Sequence, residues 1–298
     1  MKRGALILLL ALLMSAVMPA SAQDARFSFG VLASGRADDD ALRNMLDRTA
    51  AANFAFVVAF GIRPPDAPCK DVAYQRRRHL FERSQHGLMP VPAGADWAAC
   101  AGIDDPTDAL ARLTRIRELL FQGEFSFGAT RLPLVRQSTE ARFHNFTENM
   151  RWEIGNVMFA TMNLPAPNNH FVMAAGRNGE FEDRLVANRA WLHRIFTQAR
   201  LQDARAVVLF CEANPMARPA GARRDGFAEM RRYLRGHANE FKGKVLIVHA
   251  QPTSGAAPTI TWQGNLGEIG LGRGWFGLRV DTGAAQMIVP LKRAERNQ

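Results

Sequence analysis

The sequence predicts an α/β fold, a layered sandwich of mixed, largely parallel β-sheet flanked by helices. Three observations predict it. Between residues 157 and 249, apolar strand-length runs alternate with helix-length segments, the pattern of parallel strands joined by helical crossovers. The run 53–60 is apolar almost throughout, as in a strand buried on both faces. From Pro258 the texture changes to short β-like segments among glycines, which reads as an antiparallel closing layer.

The elements follow in order. Residues 27–32 alternate and then run apolar, as a first strand does. In 41–51, Leu42, Met45 and Leu46 fall at helical spacing, and Asp38, Asp39 and Asp40 precede them as cap and dipole partners. After the strand 53–60, Pro64, Pro65 and Pro68 mark a loop. A charged helix spans 72–85, stopped by Gly87, and 88–91 is a third strand. Pro106 opens a helix over 107–121. Then come strand 157–163, helix 182–201, strand 206–211, helix 226–240 and strand 244–249, with helical character in the preceding turn from Glu180. Short β segments follow at 260–262, 275–280 and 287–291. No repeat or low-complexity linker interrupts the chain, so 23–298 reads as one domain, with 258–298 its β-rich closing segment.

Lys2 and Arg3 precede an apolar run over 5–17 and then Ala20-Ser21-Ala22. A basic start, a short apolar core and an A-x-A site describe a secretory signal over 1–22. The expected address is a bacterial periplasm or the exterior, with no transmembrane span after cleavage. The formal charge is +10. Arginines cluster at Arg76-Arg77-Arg78, Arg223-Arg224 and Arg231-Arg232. They read as a solvated surface or as a field for an anionic partner. They are not interleaved with aromatics, which argues against specific nucleic-acid binding. Of three cysteines, Cys69 and Cys100 lie in polar loops, and in an oxidising compartment they are expected to pair. Cys211, ending an apolar strand, is expected to be a buried thiol. No G-x-S-x-G, P-loop or dinucleotide fingerprint occurs.

One stretch is distinctive. Glu148-Asn149-Met150-Arg151-Trp152-Glu153, the strand from Val157, Asn168-Asn169 and the helix through Asn188 and Trp191 follow one another in an order that resembles the calcineurin-like metallophosphoesterase superfamily, in a secreted bacterial branch. The resemblance implies a calcineurin-like phosphoesterase-type domain. It also implies ligands for two cations just after successive strands, where they would clamp a phosphate and activate a hydroxide.

At those stations this chain departs from the family. After the first strand it reads Ala33-Ser34, with no carboxylate or imidazole until Asp38. After the second, Gly61 stands where the resemblance implies the bridging Asp, and after the third Gly94 and Ala95 replace a ligand and a proton donor. Asp96 follows, as a residual site residue or a turn cap. Asn163 stands where a His is implied. His249 keeps one expected imidazole, with Thr253 where the second would fall; a lone His at a strand end is either functional or a satisfied structural residue. Asn168 and Asn169 are expected to line the cleft, as are Glu212 and Asn214 at the next strand end. Arg136 could hold an anion, or pair with Glu148 or Glu153.

The leading expectation is an exported, catalytically inactive member of the family with a binding or interaction role and no cofactor. The partner would be an anionic ligand or an envelope protein. The first alternative is a phosphoester hydrolase with a one-metal or metal-free centre built from Asp96, Asn163, Glu212 and His249. The second is a basic envelope protein that binds anionic polymer or lipid headgroups.

Overall fold

The computed structural model describes residues 24–100, 106–173, 178–219, 221, 223–252 and 258–291. The segment 1–22, expected to be a signal, and Thr253 lie outside them. Two sheets pack face to face. The first runs in the order β12-β11-β1-β2-β3, built from β1 (Arg26–Leu32), β2 (Phe56–Phe60), β3 (Gly87–Val91), β11 (Trp275–Asp281) and β12 (Ile288–Pro290). The second runs β4-β5-β6-β7-β8-β10-β9, with β4 (Val135–Arg136), β5 (Met150–Ile154), β6 (Val157–Thr161), β7 (Ala206–Cys211), β8 (Lys244–His249), β9 (Thr261–Gln263) and β10 (Leu266–Gly270). β1, β2 and β3 are mutually parallel, as are β6, β7, β8 and β10; the outer pairs are antiparallel.

Side-chain alternation fixes the layers. Phe159, Val208, Phe210, Leu246 and Val248 face the first sheet, while Met158, Ala160, Val207, Leu209, Val245 and Ile247 face α5 (Gly179–Leu201) and α6 (Ala228–Glu240). The first sheet carries α1 (Asp39–Ala50), α2 (Asp71–Glu82) and α4 (Pro106–Leu120) on its other side, with a single-turn α3 (Gly94–Trp97) after β3. Helices therefore cover only the outer face of each sheet, and the inner faces meet each other. The expected layered α/β sandwich flanked by helices is thus present, with two sheets meeting at its centre. An apolar run tells that a face is covered, not whether a helix or a sheet covers it. Aromatic side chains fill the inter-sheet space. Phe29 stacks on Phe56 at 4.9 Å, Phe56 meets Phe159 edge-on at 4.8 Å, and Trp152 stacks on Phe159 and Phe210.

The β-rich end is not a separate closing layer. β10 joins β8 in parallel and carries β9, extending the second sheet, while β11 and β12 extend the first beside β1. Short strands of this kind gain hydrogen bonds most readily by adding to existing edges. Asp38 caps α1 through the Ala41 amide at 2.7 Å, as its position before the helix predicts. Cys69 and Cys100 form a disulfide, tying the loop after β2 to the end of the α3 turn. Cys211 is a buried free thiol. The arginine runs are not purely surface. Arg77 is fully buried, donating to the Ala37 carbonyl and pairing with Asp39 at 3.1 Å. Arg231 is buried too, pairing with Asp225 and donating to the carbonyls of Pro215, Met216 and Ala217. Guanidinium groups with this many donors are well suited to gathering loop carbonyls.

Candidate functional site

The loops after β1, β2, β3, β6, β7 and β8 meet at one end of the sandwich. After β1 the chain turns through Ser34–Arg36 and lies against the loop after β2. Ser34 Oγ donates to the carbonyls of Phe60 at 3.0 Å and Gly61 at 2.5 Å. Gly61 has φ +81°, and a Cβ there would lie 2.6 Å from Gly35 Cα. Only glycine allows this backbone conformation together with this approach. The two loops thus close directly against each other beyond the ends of the first two strands.

After β3 the closure is tighter. A Cβ on Gly94 would lie 1.9 Å from the Ala166 carbonyl oxygen, in the loop after β6. Two carboxylates clamp the same junction. Asp96, 1% exposed, accepts from the backbone amides of Ala93 at 2.7 Å, Ile62 at 3.0 Å and Arg63 at 2.8 Å. Glu212 Oε2 accepts from the amides of Gly94 at 2.6 Å and Ala166 at 2.8 Å, while its own carbonyl receives the Ala250 amide at 2.9 Å. Asp96 therefore joins the loops after β2 and β3, and Glu212 joins those after β3, β6, β7 and β8. Burial raises both carboxyls above their ordinary values, against the pull of the amides that bind them; Glu212 reaches about 7. Both amides bind one oxygen of Glu212, which leaves Oε1 for a proton.

His249 is 1% exposed, and neither ring nitrogen makes a hydrogen bond of good geometry among the described residues. Burial lowers it to about 4, with the Gln251 backbone pulling weakly the other way. It is a neutral imidazole near neutral pH.

Asn163 belongs to a different cluster. Its amide group donates to Glu148 Oε1 at 2.9 Å, and its backbone amide donates to Asn149 Oδ1 at 3.0 Å. Glu148 is bound bidentately by Arg117 at 2.8 and 2.6 Å, and Asn149 donates to Gln137 and Asn188. All six residues are buried, and together they pin β5 and the loop after β6 onto α5 and α4. Polar networks inside a core are stable only when their members satisfy one another. Sequence reasoning missed this one. Its available signal was Glu148-Asn149 and Asn188 standing directly beside apolar core positions.

The remaining candidates do structural work. Asn168 and Asn169 both hold left-handed backbone, with φ 47° and 55°, and both bond the 224–226 segment: Asn168 to the Arg224 carbonyl and Gly226 amide, Asn169 to the Gly226 carbonyl. Asn169 Oδ1 also receives the buried Arg184. Asn214 accepts from the Met216 amide at 2.9 Å, a local turn. Arg136 pairs with neither Glu148 nor Glu153. It donates to the carbonyls of Gly123, Thr147 and Gln122 at 2.6, 2.7 and 3.4 Å, and burial lowers its guanidinium to about 10.

Paired divalent cations need several hard donors converging on one space. Among the described residues no group of three or more His, Cys, Asp and Glu side chains is arranged to hold a metal ion. Backbone packs tightly against Gly61 and Gly94, where the resemblance implies ligands, Asp96 and Glu212 accept from amides, and Asn163 donates to Glu148. The described residues do not fit a two-metal centre.

No protein-family model matches this chain, and no curated protein does. Among solved structures it is similar to GAP50, described as the anchor in the inner membrane complex of Plasmodium, at 11% identity and a TM-score of 0.47 over 90% of this chain and 88% of the other. It is likewise similar to TT1561 of Thermus thermophilus, at 11% identity and a TM-score of 0.46 over 90% of this chain and 99% of the other.

Proposed function

We propose that this protein is an exported, calcineurin-like metallophosphoesterase-type scaffold that has lost two-metal catalysis and serves as a binding or interaction protein. The observation that carries this reading is the closure at Gly94, where the Ala166 carbonyl leaves no room for a ligand side chain. The emptied stations are not left open. Backbone contacts and two carboxylates now tie together the loops that cations would otherwise have joined. Export is supported by the signal-like start of the sequence and by the disulfide, which persists in oxidising compartments. No described helix is long and apolar enough to cross a membrane. Elemental analysis of the mature protein, paired with a broad phosphoester screen, tests the reading. The expected result is substoichiometric metal and no turnover; two metals per chain with hydrolysis would overturn it.

A second reading, a metal-free hydrolase, draws on Glu212. A carboxyl near 7 is poised for general acid–base work at neutral pH. Against it, both amide bonds hold Glu212 in a structural role. If a phosphoester substrate is found, Glu212→Gln distinguishes the readings: loss of turnover with an unchanged melting temperature would favour catalysis.

A further inference from the structure

A second concave surface lies on the outer helical layer, formed by residues of α5, α6 and the turn at 141–143. It is a shallow groove of about 620 Å³, within the size range of small-molecule sites. Its floor is apolar, formed by Phe143, Ala190 and Val186, the last 42% exposed. Arg142, Arg189 and His193 also line it, and no carboxylate does.

Arg142 and Arg189, which line the groove, and the adjacent Arg232 enter no ion pair among the described residues. Instead, Arg189 and Arg232 both lie over the Tyr233 ring, at 4.4 and 5.1 Å. Stacking orients a guanidinium without neutralising it, so its N–H fork stays available. A further polar atom is left over at the groove: Nδ1 of His237 is buried without a partner, its ring stacked on Phe196 and 5.8 Å from that of His193. An anionic ligand could pair with these exposed guanidinium groups while covering the apolar floor.

We propose that this groove binds a small anionic amphiphile, with a phosphate or carboxylate head taken by Arg142 and Arg189 and an apolar body laid on Val186, Ala190 and Phe143. The head is matched by bidentate guanidinium geometry. The body removes the exposed valine from water. This site shares no residue with the strand-end junction and stands whether or not that junction is catalytic.

Calorimetric titration with decyl phosphate, kept below its micelle concentration, tests the proposal on the whole mature protein. Inorganic phosphate and decanol serve as probes for the two halves of the ligand. Decyl phosphate is expected to bind at least tenfold more tightly than either. Arg142→Gln with Arg189→Gln, and separately Val186→Asp, should each weaken it at least tenfold while the melting temperature holds. Equal affinity in the native protein and both variants would overturn the proposal. So would a lack of binding to monomeric decyl phosphate, including the case where only anionic vesicles bind, which would assign the basic surface to a membrane. The three-probe comparison on the native protein decides the matter even if a variant fails to fold.

Discussion

The Cα of Gly94 faces the carbonyl oxygen of Ala166 so closely that a single added carbon would sit 1.9 Å from that oxygen. The two residues come from different loops, and Glu212 holds both of their amides. Gly94→Asp, which restores a carboxylate at the implied ligand position, is therefore expected to destabilise the protein and not to recruit metal. Overpacking costs about 3 kcal/mol where the neighbour is backbone that cannot yield. Urea denaturation with metal analysis of the folded fraction checks both halves of the expectation.

Glu212 sets a pH dependence of known sign. Its carboxyl stands at about 7 in the fold against an ordinary 4.5. Between those values the folded chain keeps a proton that the unfolded chain has released, so this contribution to stability is full below 4.5 and lost as pH rises through 7. His249 acts oppositely. Its depression to about 4 from 6.5 makes stability fall as pH drops from 6.5 to 4. Glu212→Gln keeps an acceptor oxygen and removes the titration. Its melting temperature relative to the native protein is expected to rise between about pH 5 and about pH 8; a constant difference would contradict the protonated Glu212.

Asp96 contributes through three amides at once. Asp96→Asn removes the charge and one acceptor oxygen, and is expected to cost about 2 kcal/mol. Hydrogen exchange should localise the loss to the amides of Ile62, Arg63 and Ala93.

Arg117 and Glu148 are both buried, and each is the other's counter-charge. Glu148→Ala leaves the guanidinium without one and frees the Asn163 amide as well. The expected loss is about 3 to 5 kcal/mol. Replacing both partners, Arg117→Met with Glu148→Leu, should recover part of it; equal loss in the single and double variants would show that the charges are not coupled.

The disulfide closes a 31-residue separation. Removing it by Cys69→Ala with Cys100→Ala is expected to lower stability by about 3 to 4 kcal/mol from loop entropy. It should also loosen the Asp96 junction, which lies between the bridged segments. Chemical denaturation of the double variant beside the native protein measures the loss.

Much of the architecture is legible in the sequence because long elements carry redundant signals. β7 and β8 occur over the predicted residues, since each is an apolar run with polar residues on both sides. α1 and α4 are legible from their spacing and from Asp38 and Pro106. Among the strands the sequence reading does not mark, Val135–Arg136 is only two residues long and β10 carries glycine at Gly267 and Gly270. The departures from the implied ligand pattern are visible as residue types. What packs against those positions is not. The carbonyl of Ala166 and the amides of Ile62 and Arg63 carry no side-chain signature, so backbone replacement leaves no trace in residue identity. The groove beside Tyr233 is hidden for a related reason, because it joins segments far apart in the chain, from Arg142 to His237.

β1 lies between β2, which follows it closely in the chain, and β11, which comes much later and pairs with it over its whole length. A chain emerging amino end first must hold this strand half-satisfied until nearly all the rest has appeared. Assembly of the first sheet is thus deferred to a late step, and truncation before Trp275 would leave a sticky central ribbon open to self-association.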